Sequence, residues 1–272
     1  MLTRETLRGL LRQPVCAHAD IPQIFLLPEG EGPFPAVLYC HAHGGNYPLG
    51  KTELTEGSGW TDGKPYAPDL LAAGFAVLCL DMACFEDRQD EGPESAASKA
   101  ALWRGQTLFG AMLRDLQSGL DQLCADPRID SAHIYTLGGS MGGAHALWLA
   151  ALDERVAGSA HLFFFSDIGP LIDADMHDPH GHYLTVPGLL EQGDVGDVAA
   201  LIAPRPQFVG TGGEDRFTPD FARLPATDRL TQADSDGPLQ VKHIPDTGHK
   251  ETPDMRRAVM DFLTSLAGKE TI

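Results

Sequence analysis

Short apolar runs recur along the 272-residue chain, each bounded by Gly, Pro or Asp. Most of them show no alternation of polar and apolar residues, which is typical of strands buried on both faces of a sheet. Six runs predict strands in this way, at residues 36–40, 75–80, 133–137, 161–165, 207–209 and 239–244. Residues 21–27 form a weaker run, which we expect to be an antiparallel strand at the edge of the sheet.

Between these runs, apolar residues recur every three or four positions, as on the buried face of a helix. The clearest helical pattern has polar side chains on its other face and consists of Phe109, Leu113, Leu116, Leu120 and Leu123. A last helix is predicted to start at Thr252 with Pro253 just inside it, a favoured capping arrangement. Strands that alternate with helices of these lengths predict the α/β class, with a mainly parallel sheet covered by helices on both faces.

The organisation along the chain is simple, because we find no internal repeat and no low-complexity tract. We expect one domain over residues 1–272. The stretch 166–204 carries Gly, Pro and Asp with little strand pattern, so we interpret it as a short cap above the sheet.

The charge balance narrows the range of partners. The chain has 20 basic and 38 acidic residues, which gives a net charge of −18 at pH 7 with neutral histidine. Binding to a phosphate backbone needs clustered Lys and Arg, and anionic lipid repels an acidic protein. We therefore expect neither nucleic acid nor a membrane as partner.

The cysteines and the N-terminal residues bear on the compartment. The five cysteines are odd in number and include no CxxC pair, so we interpret them as buried thiols in a reducing compartment: Cys16, Cys40, Cys79, Cys84 and Cys124. The first 20 residues contain no signal-peptide core, and no segment approaches the roughly 20 apolar residues of a membrane span. A cytoplasmic location is expected.

A glycine-rich turn follows the third of the six predicted strands. Residues 138–142 read Gly-Gly-Ser-Met-Gly, a GxSxG sequence between a strand and a helix, which is the context of a nucleophile elbow. Such a turn holds its serine in a strained backbone conformation, and side chains at 138 and 142 would crowd it. We therefore predict that Ser140 is a nucleophile. The alternative is a glycine-rich turn that only lets the helix pack closely.

Two further residues stand at the ends of later strands, in the order acid and then histidine that accompanies such a serine. Asp215 follows the fifth predicted strand, and His249 follows the sixth. Functional groups in open parallel sheets gather at the carboxyl ends of the strands. We therefore expect Ser140, Asp215 and His249 to form a catalytic triad.

Two other carboxylates compete for the role of the acid. Glu214 directly precedes Asp215, and Asp167 follows the run at 161–165. Asp215 is preferred because its spacing to Pro219, with a helix expected to follow, is the usual form of this turn. Some proteins of this fold carry the acid one strand earlier, which keeps Asp167 open.

An acyl-transfer site also needs N–H groups that stabilise the negative oxygen of the intermediate. The residue after the nucleophile supplies one, here Met141, and the loop after an earlier strand supplies the other. Residues 40–45 read Cys-His-Ala-His-Gly-Gly and occupy such a loop. We choose the N–H of His43 as the second donor and interpret the rings of His41 and His43 as loop-packing groups.

With these residues in place, the chain resembles the α/β-hydrolase superfamily, and within it the dienelactone hydrolase and acetyl xylan esterase-like group. The resemblance starts at about Pro35, runs to the C-terminus and rests on segments 41–45 (His-Ala-His-Gly-Gly), 138–142, 203–206 (Ala-Pro-Arg-Pro), 213–215 (Gly-Glu-Asp) and 248–249 (Gly-His). It implies an α/β-hydrolase fold.

The chain departs from the family pattern at two positions. Ala42 stands where a glycine often follows the histidine, and Ser140 stands where true dienelactone hydrolases use a cysteine nucleophile. The serine therefore favours ordinary ester hydrolysis.

A second motif points to another class of protein. Residues 45–52 fit the GxxxxGK[ST] pattern of a phosphate-binding P-loop, and residues 75–81 resemble the strand that supplies its magnesium ligand. Two glycines that follow closely argue against the helix such a loop needs. Nucleotide binding is thus the weaker hypothesis, and we interpret Asp81 as a structural acid near Arg88.

The predicted cap contains three histidines, His177, His180 and His182, with acidic residues nearby. Their spacing matches no closed metal site, so no metal is expected there. We expect His182 and Tyr183 to face the substrate, with plain surface residues as the alternative.

The sequence therefore predicts a serine hydrolase that cleaves a small-molecule carboxylic ester, with a short acyl group such as acetate, through an acyl-enzyme. No cofactor is expected. Thioesterase and lactonase activities share this chemistry and stay open, and a catalytically inactive binding protein of the same fold is a further alternative.

Overall fold

Seven strands of the protein form one sheet in a computed structural model that describes residues 2–233 and 238–268. The strand order across the sheet is β1-β3-β2-β4-β5-β6-β7, with β1 antiparallel to β3 and every other neighbouring pair parallel. The strands are β1 Gln23–Leu26, β2 Phe34–Cys40, β3 Ala76–Leu80, β4 Ile129–Gly139, β5 Gly158–Leu162, β6 Gln207–Gly212 and β7 Leu239–Ile244.

Helices join the strands and cover the sheet. They are α1 Arg4–Leu11, α2 Glu53–Glu56, α3 Ala67–Ala72, α4 Glu94–Trp103, α5 Leu108–Ala125, α6 Met141–Leu152, α7 Ile168–Asp173, α8 Val195–Ala200, α9 Asp220–Ala233 and α10 Pro253–Leu266. The two helices with the strongest sequence patterns are α5 and α10. The start of α10 is capped as expected, since the Thr252 side chain accepts a hydrogen bond from the Met255 N–H at 3.2 Å.

Alternate side chains of the central strands enter apolar cores on opposite faces of the sheet. In β2, Ala36, Leu38 and Cys40 belong to the core that also contains side chains of α1, α5 and α6. Val37 and Tyr39 belong to the core that contains side chains of α3 and α10. The predicted fold class, a mainly parallel sheet with helices on both faces, is confirmed.

Each predicted strand overlaps a strand of the structure, although β4 starts four residues before the predicted bound and β6 ends three residues after it. Strand β7 has the predicted bounds, and β1 is the expected antiparallel edge strand. The strand predicted at 161–165 is wrong in its bounds, because β5 ends at Leu162 and Phe163 takes a positive φ of 56°. The phenylalanines at 163–165 follow the strand but are buried in the two apolar cores, so their apolar character imitated a strand.

The segment between β5 and β6, which includes the predicted cap at 166–204, consists of short helices and turns. It contains α7, the 3-10 turns His182–Leu184 and Leu189–Glu191, and finally α8. Helix α8 packs against α6 and α9, beside the sheet. Helix α8, which lies within the predicted cap 166–204, is thus in contact with two helices outside that cap.

The interpretation of all five cysteines as buried is wrong for two of them. Cys40, Cys79 and Cys84 are buried, whereas Cys16, in the segment between α1 and β1, is exposed and Cys124, near the end of α5, is half-buried. Within residues 2–233 and 238–268, no helix has the combined length and apolar character that crossing a membrane requires.

Candidate active site

Ser140 lies in the sharp turn between β4 and α6. Its backbone angles, φ 56° and ψ −123°, are strained for a residue with a side chain. The turn is held by the Ser140 N–H, which donates to the Leu162 carbonyl at 2.9 Å. A Cβ at Gly142 would overlap the Cys40 carbonyl oxygen, and one at Gly138 would overlap the backbone of Gly142. Glycine is therefore required at both ends of the GxSxG sequence for the helix to approach the sheet.

His249 and Asp215 meet at the carboxyl ends of the neighbouring strands β7 and β6. The His249 Nδ1 donates to Asp215 Oδ2 at 2.8 Å, and the buried carboxylate also accepts the Phe217 N–H through Oδ1 at 2.9 Å. Since Nδ1 carries the proton, Nε2 has the lone pair that a general base needs. The imidazole packs against two phenyl rings, with ring centroids 4.7 Å from that of Phe217 and 5.8 Å from that of Phe163.

Ser140 and His249 line one cavity of about 730 Å³. Its walls come from the loops that follow β2, β5, β6 and β7, together with part of the cap. Aromatic side chains make up much of the lining, among them Trp60, Phe163 and Tyr183. A volume of this size is ordinary for a small-molecule site and leaves room for more than an acetyl group.

The two competing acids lie in other surroundings. The Asp167 carboxylate accepts the Gly196 N–H at 3.0 Å and is paired with Arg229. Glu214 is exposed at the surface. Asp215 is therefore the carboxylate that the fold brings to His249.

The two N–H groups predicted for the oxyanion hole belong to residues that line this cavity, Met141 and His43. Within the described part of the chain, neither N–H has a hydrogen-bond acceptor. The neighbouring N–H of Ala42 is already used, because it donates to Glu53 Oε1 at 3.1 Å. The N–H groups of Met141 and His43 thus belong to residues of the cavity that Ser140 lines, and their role as oxyanion donors stays a prediction.

The side chain of His43 ties its loop to the cap. Its Nδ1 accepts the Gly45 N–H at 3.0 Å, so Nε2 carries the proton and donates to Glu94 Oε2 at 2.6 Å. Glu94 Oε1 accepts the Tyr183 N–H at 2.9 Å. Burial by itself would raise the pKa of Glu94, but the hydrogen bonds from His43 and Tyr183 outweigh it and the pKa is lowered. A fixed negative charge therefore anchors the loop that carries a proposed oxyanion donor.

The His41 ring packs in the loop, as interpreted. Its Nε2 accepts the Met82 N–H at 3.0 Å, and its Nδ1 donates to the Ala42 carbonyl at 2.9 Å. Burial lowers the pKa of His41.

Of the two cap residues expected to face the substrate, the structure places only Tyr183 in the cavity. His182 lines an adjoining cavity of about 540 Å³ instead, because a 3-10 turn directs consecutive side chains to different sides. The structure therefore does not place His182 in the cavity that Ser140 lines. His180, which the sequence analysis named only as one of the three cap histidines, lines both cavities, and its Nε2 lies 3.2 Å from the Phe217 carbonyl oxygen.

The P-loop pattern at 45–52 does not form a phosphate site. The Lys51 ammonium donates to Asp81, Glu86 and Asp87 at 2.9, 2.6 and 2.7 Å, and only the four-residue α2 follows the motif. Three carboxylates therefore occupy the surroundings that a nucleotide's phosphates would need. The same three form the one group of side chains within the described residues that is close enough to share a metal ion, and the lysine lies among them.

Asp81 lies near Arg88, as interpreted, but the guanidinium contacts its backbone carbonyl and not its carboxylate. Arg88 Nη1 donates to the Asp81 carbonyl oxygen at 2.9 Å, and the guanidinium pairs with Asp115 and Glu91. The Asp81 carboxylate binds Lys51.

Solved hydrolases share this fold. The acetyl xylan esterase from Paenibacillus sp. R4 superposes with a TM-score of 0.65 at 19% identity, covering 89% of this chain and 78% of that chain. A sugar hydrolase (YeeB) from Lactococcus lactis superposes with a TM-score of 0.65 at 15% identity, covering 92% and 95% of the two chains. At such identities the likeness establishes the fold.

A closer sequence relationship decides the family. The protein named "Putative hydrolase YtaP" from Bacillus subtilis (strain 168) is 38% identical over 252 residues, which cover 90% of this chain and 83% of that protein. The chain belongs to the α/β-hydrolase superfamily. No family model matches the chain. The resemblance inferred from the elbow, the Asp and His order and the 41–45 loop is confirmed.

Proposed function

We propose that this protein is a serine hydrolase that cleaves carboxylic esters through an acyl-enzyme. One observation carries the proposal: a strained Ser140 shares a cavity with His249, whose ring is hydrogen-bonded to the buried Asp215. The names of the relatives support it, since they include a hydrolase of the same family and an acetyl xylan esterase of the same fold.

In the first half of the reaction, His249 Nε2 takes the proton of the Ser140 hydroxyl while the oxygen attacks the acyl carbon. The carbonyl oxygen becomes negative and is stabilised by the N–H groups of Met141 and His43. Asp215 holds the imidazole tautomer and stabilises the imidazolium that forms. The imidazolium then protonates the departing alcohol, and the acyl group remains on Ser140.

In the second half, water releases the acyl group by the same path. His249 removes a proton from the water, the resulting oxygen attacks the acyl carbon, and Ser140 leaves with the proton from His249. These steps use only groups of this chain and water. Thioesters and lactones present the same acyl carbon and enter by the same steps.

We expect short acyl groups to be preferred, with the alcohol part in the remainder of the cavity. The test compares p-nitrophenyl acetate with p-nitrophenyl octanoate in the wild type, in Ser140→Ala and in a control, Ser265→Ala, which removes an exposed hydroxyl on α10. Acetate should give the higher kcat/KM, Ser140→Ala should lose at least about 10³-fold, and the control should match the wild type. Equal rates for the wild type and Ser140→Ala would refute the proposed nucleophile.

A further inference from the structure

Glu53 is a buried carboxylate in the wall of the active-site cavity. It stands at the start of α2, is 1% exposed, and lines the cavity together with Ser140 and His249. No step of the proposed reaction uses it. Its position beside the nucleophile therefore needs another explanation.

The two oxygens of Glu53 have different surroundings. Oε1 accepts three hydrogen bonds, from the Tyr39 hydroxyl at 2.9 Å, the Trp60 Nε1 at 3.1 Å and the Ala42 N–H at 3.1 Å. Oε2 accepts no hydrogen bond from residues 2–233 and 238–268, and it is not among the fully buried side-chain atoms that lack a partner. It is therefore accessible from the cavity that Glu53 lines. Three fixed donors thus orient the side chain and leave one oxygen facing the cavity.

The charged residues that line the cavity favour a substrate group that donates a hydrogen bond to Glu53 Oε2. Its charged lining residues other than histidine are Glu53 and Glu56, and neither Lys nor Arg is among the described residues that line it. Within that part of the chain, no ion pair neutralises Glu53. A buried carboxylate that no cation neutralises is costly even when one of its oxygens is hydrogen-bonded. A substrate group that donates a hydrogen bond to Oε2 would therefore gain affinity, and an anionic group would be repelled.

We propose that Glu53 is a specificity-determining residue, and that its Oε2 accepts a hydrogen bond from an O–H or N–H group carried by the substrate beside its ester. This inference rests on the proposed ester hydrolysis and adds a substrate class to it: esters with a hydrogen-bond donor a few bonds from the acyl carbon. Both a hydroxyl and an ammonium group can donate such a hydrogen bond, and the experiment distinguishes between these two kinds of substrate.

The wild-type experiment uses two matched pairs of acetates. The first pair is 2-hydroxyethyl acetate and propyl acetate, in which a hydroxyl replaces a methyl group of similar size. The second is 2-(dimethylamino)ethyl acetate, protonated near neutral pH, and acetylcholine, which has the same charge but no N–H donor. We expect kcat/KM to be about 10-fold higher or more for the donor-bearing member of at least one pair. A preference in the first pair identifies a hydroxyl as the donor, and one in the second pair an ammonium.

The variant Glu53→Gln tests the same oxygen. The three donors require the amide oxygen at the Oε1 position, so the NH₂ group must take the place of Oε2 and can no longer accept. The kcat/KM ratio within the preferred pair should fall to about one in Glu53→Gln. The matched control, Glu56→Gln, removes the other carboxylate of the cavity and should keep the wild-type ratio.

The outcomes distinguish a failure of the proposed role of Glu53 from a failure of the proposed ester hydrolysis. Turnover of all four acetates with ratios near one in the wild type overturns the role of Glu53, whether or not Glu53→Gln folds. A full preference retained in folded Glu53→Gln overturns it as well. Absence of turnover on these esters and on p-nitrophenyl acetate overturns the proposed function, and this inference with it.

Discussion

Two adjacent carboxylates after β6 have different surroundings, and the difference decides which of them can act on His249. Asp215 is buried with both oxygens hydrogen-bonded, by His249 and by the Phe217 N–H, whereas Glu214 is exposed. An acceptor at Nδ1 keeps the proton on that nitrogen and leaves Nε2 free to serve as the base.

Asp215→Asn is expected to lower kcat for p-nitrophenyl acetate by roughly 10³- to 10⁴-fold, because the amide NH₂ can face Nδ1 and favour the wrong tautomer. The matched control is Glu214→Gln, which changes the neighbouring carboxylate and should stay within about twofold of the wild type. Steady-state kinetics of both folded variants provide the measurement. A wild-type rate in Asp215→Asn would exclude this carboxylate from the reaction.

The three residues of the proposed triad were predictable because each stands in a local pattern. Ser140 lies in a contiguous GxSxG turn. Asp215 and His249 each follow an apolar run that predicts a strand. Glu53 and Glu94 carry no such pattern. Their importance comes from contacts with other elements, those of Glu53 with Tyr39 on β2 and of Glu94 with His43 in the loop after β2, which only the folded chain brings together.

At the scale of elements, prediction succeeded where a local signal defines an end. Helix α10 starts as expected from Thr252 and Pro253, and β7 has the predicted bounds. The prediction failed at 161–165, where burial of three phenylalanines in a loop gave the same apolar pattern as a strand. An apolar run indicates that its residues are buried. It indicates an extended backbone only where the chain continues within the sheet.

Thr252→Ala should reduce the free energy of unfolding by about 1 kcal/mol, because the first turn of α10 loses the side-chain acceptor for the Met255 N–H. Thr252→Ser keeps an oxygen at the same place and serves as the control, with a loss of no more than about half that value. Urea unfolding followed by circular dichroism gives both numbers. Equal stability of the alanine variant and the wild type would mean that the cap contributes nothing.

At the scale of the whole molecule, two histidines, His145 and His161, are fully buried. His145 packs between Phe109 and Tyr183, with ring centroids 5.1 and 5.8 Å away, and His161 packs against Phe165 at 5.6 Å. Burial lowers the pKa of His145 to about 3 and that of His161 to about 3. Both rings are therefore neutral in the folded protein across the physiological range.

This burial makes the protein sensitive to acid. The unfolded chain takes up protons at these histidines below about pH 6.5, whereas the folded chain does so only near pH 3. The stabilisation that comes from keeping these two rings neutral is complete above pH 6.5. Below pH 6.5 the free energy of unfolding decreases as the pH falls, by roughly 1 kcal/mol per pH unit for each histidine. His161→Leu should therefore lose less unfolding free energy than the wild type between pH 7 and pH 5, as measured by urea unfolding. The same loss in both proteins would contradict this assignment.

The central claim is that Ser140 is an activated nucleophile, and covalent labelling tests it most directly. The wild type is incubated with a fluorophosphonate, digested and mapped by mass spectrometry, with Ser140→Ala treated in parallel. We predict one label, on Ser140, accompanied by loss of p-nitrophenyl acetate hydrolysis, and no label in the variant. A folded wild type that hydrolyses the ester but carries no label at Ser140, or a variant that is labelled equally, would contradict the account.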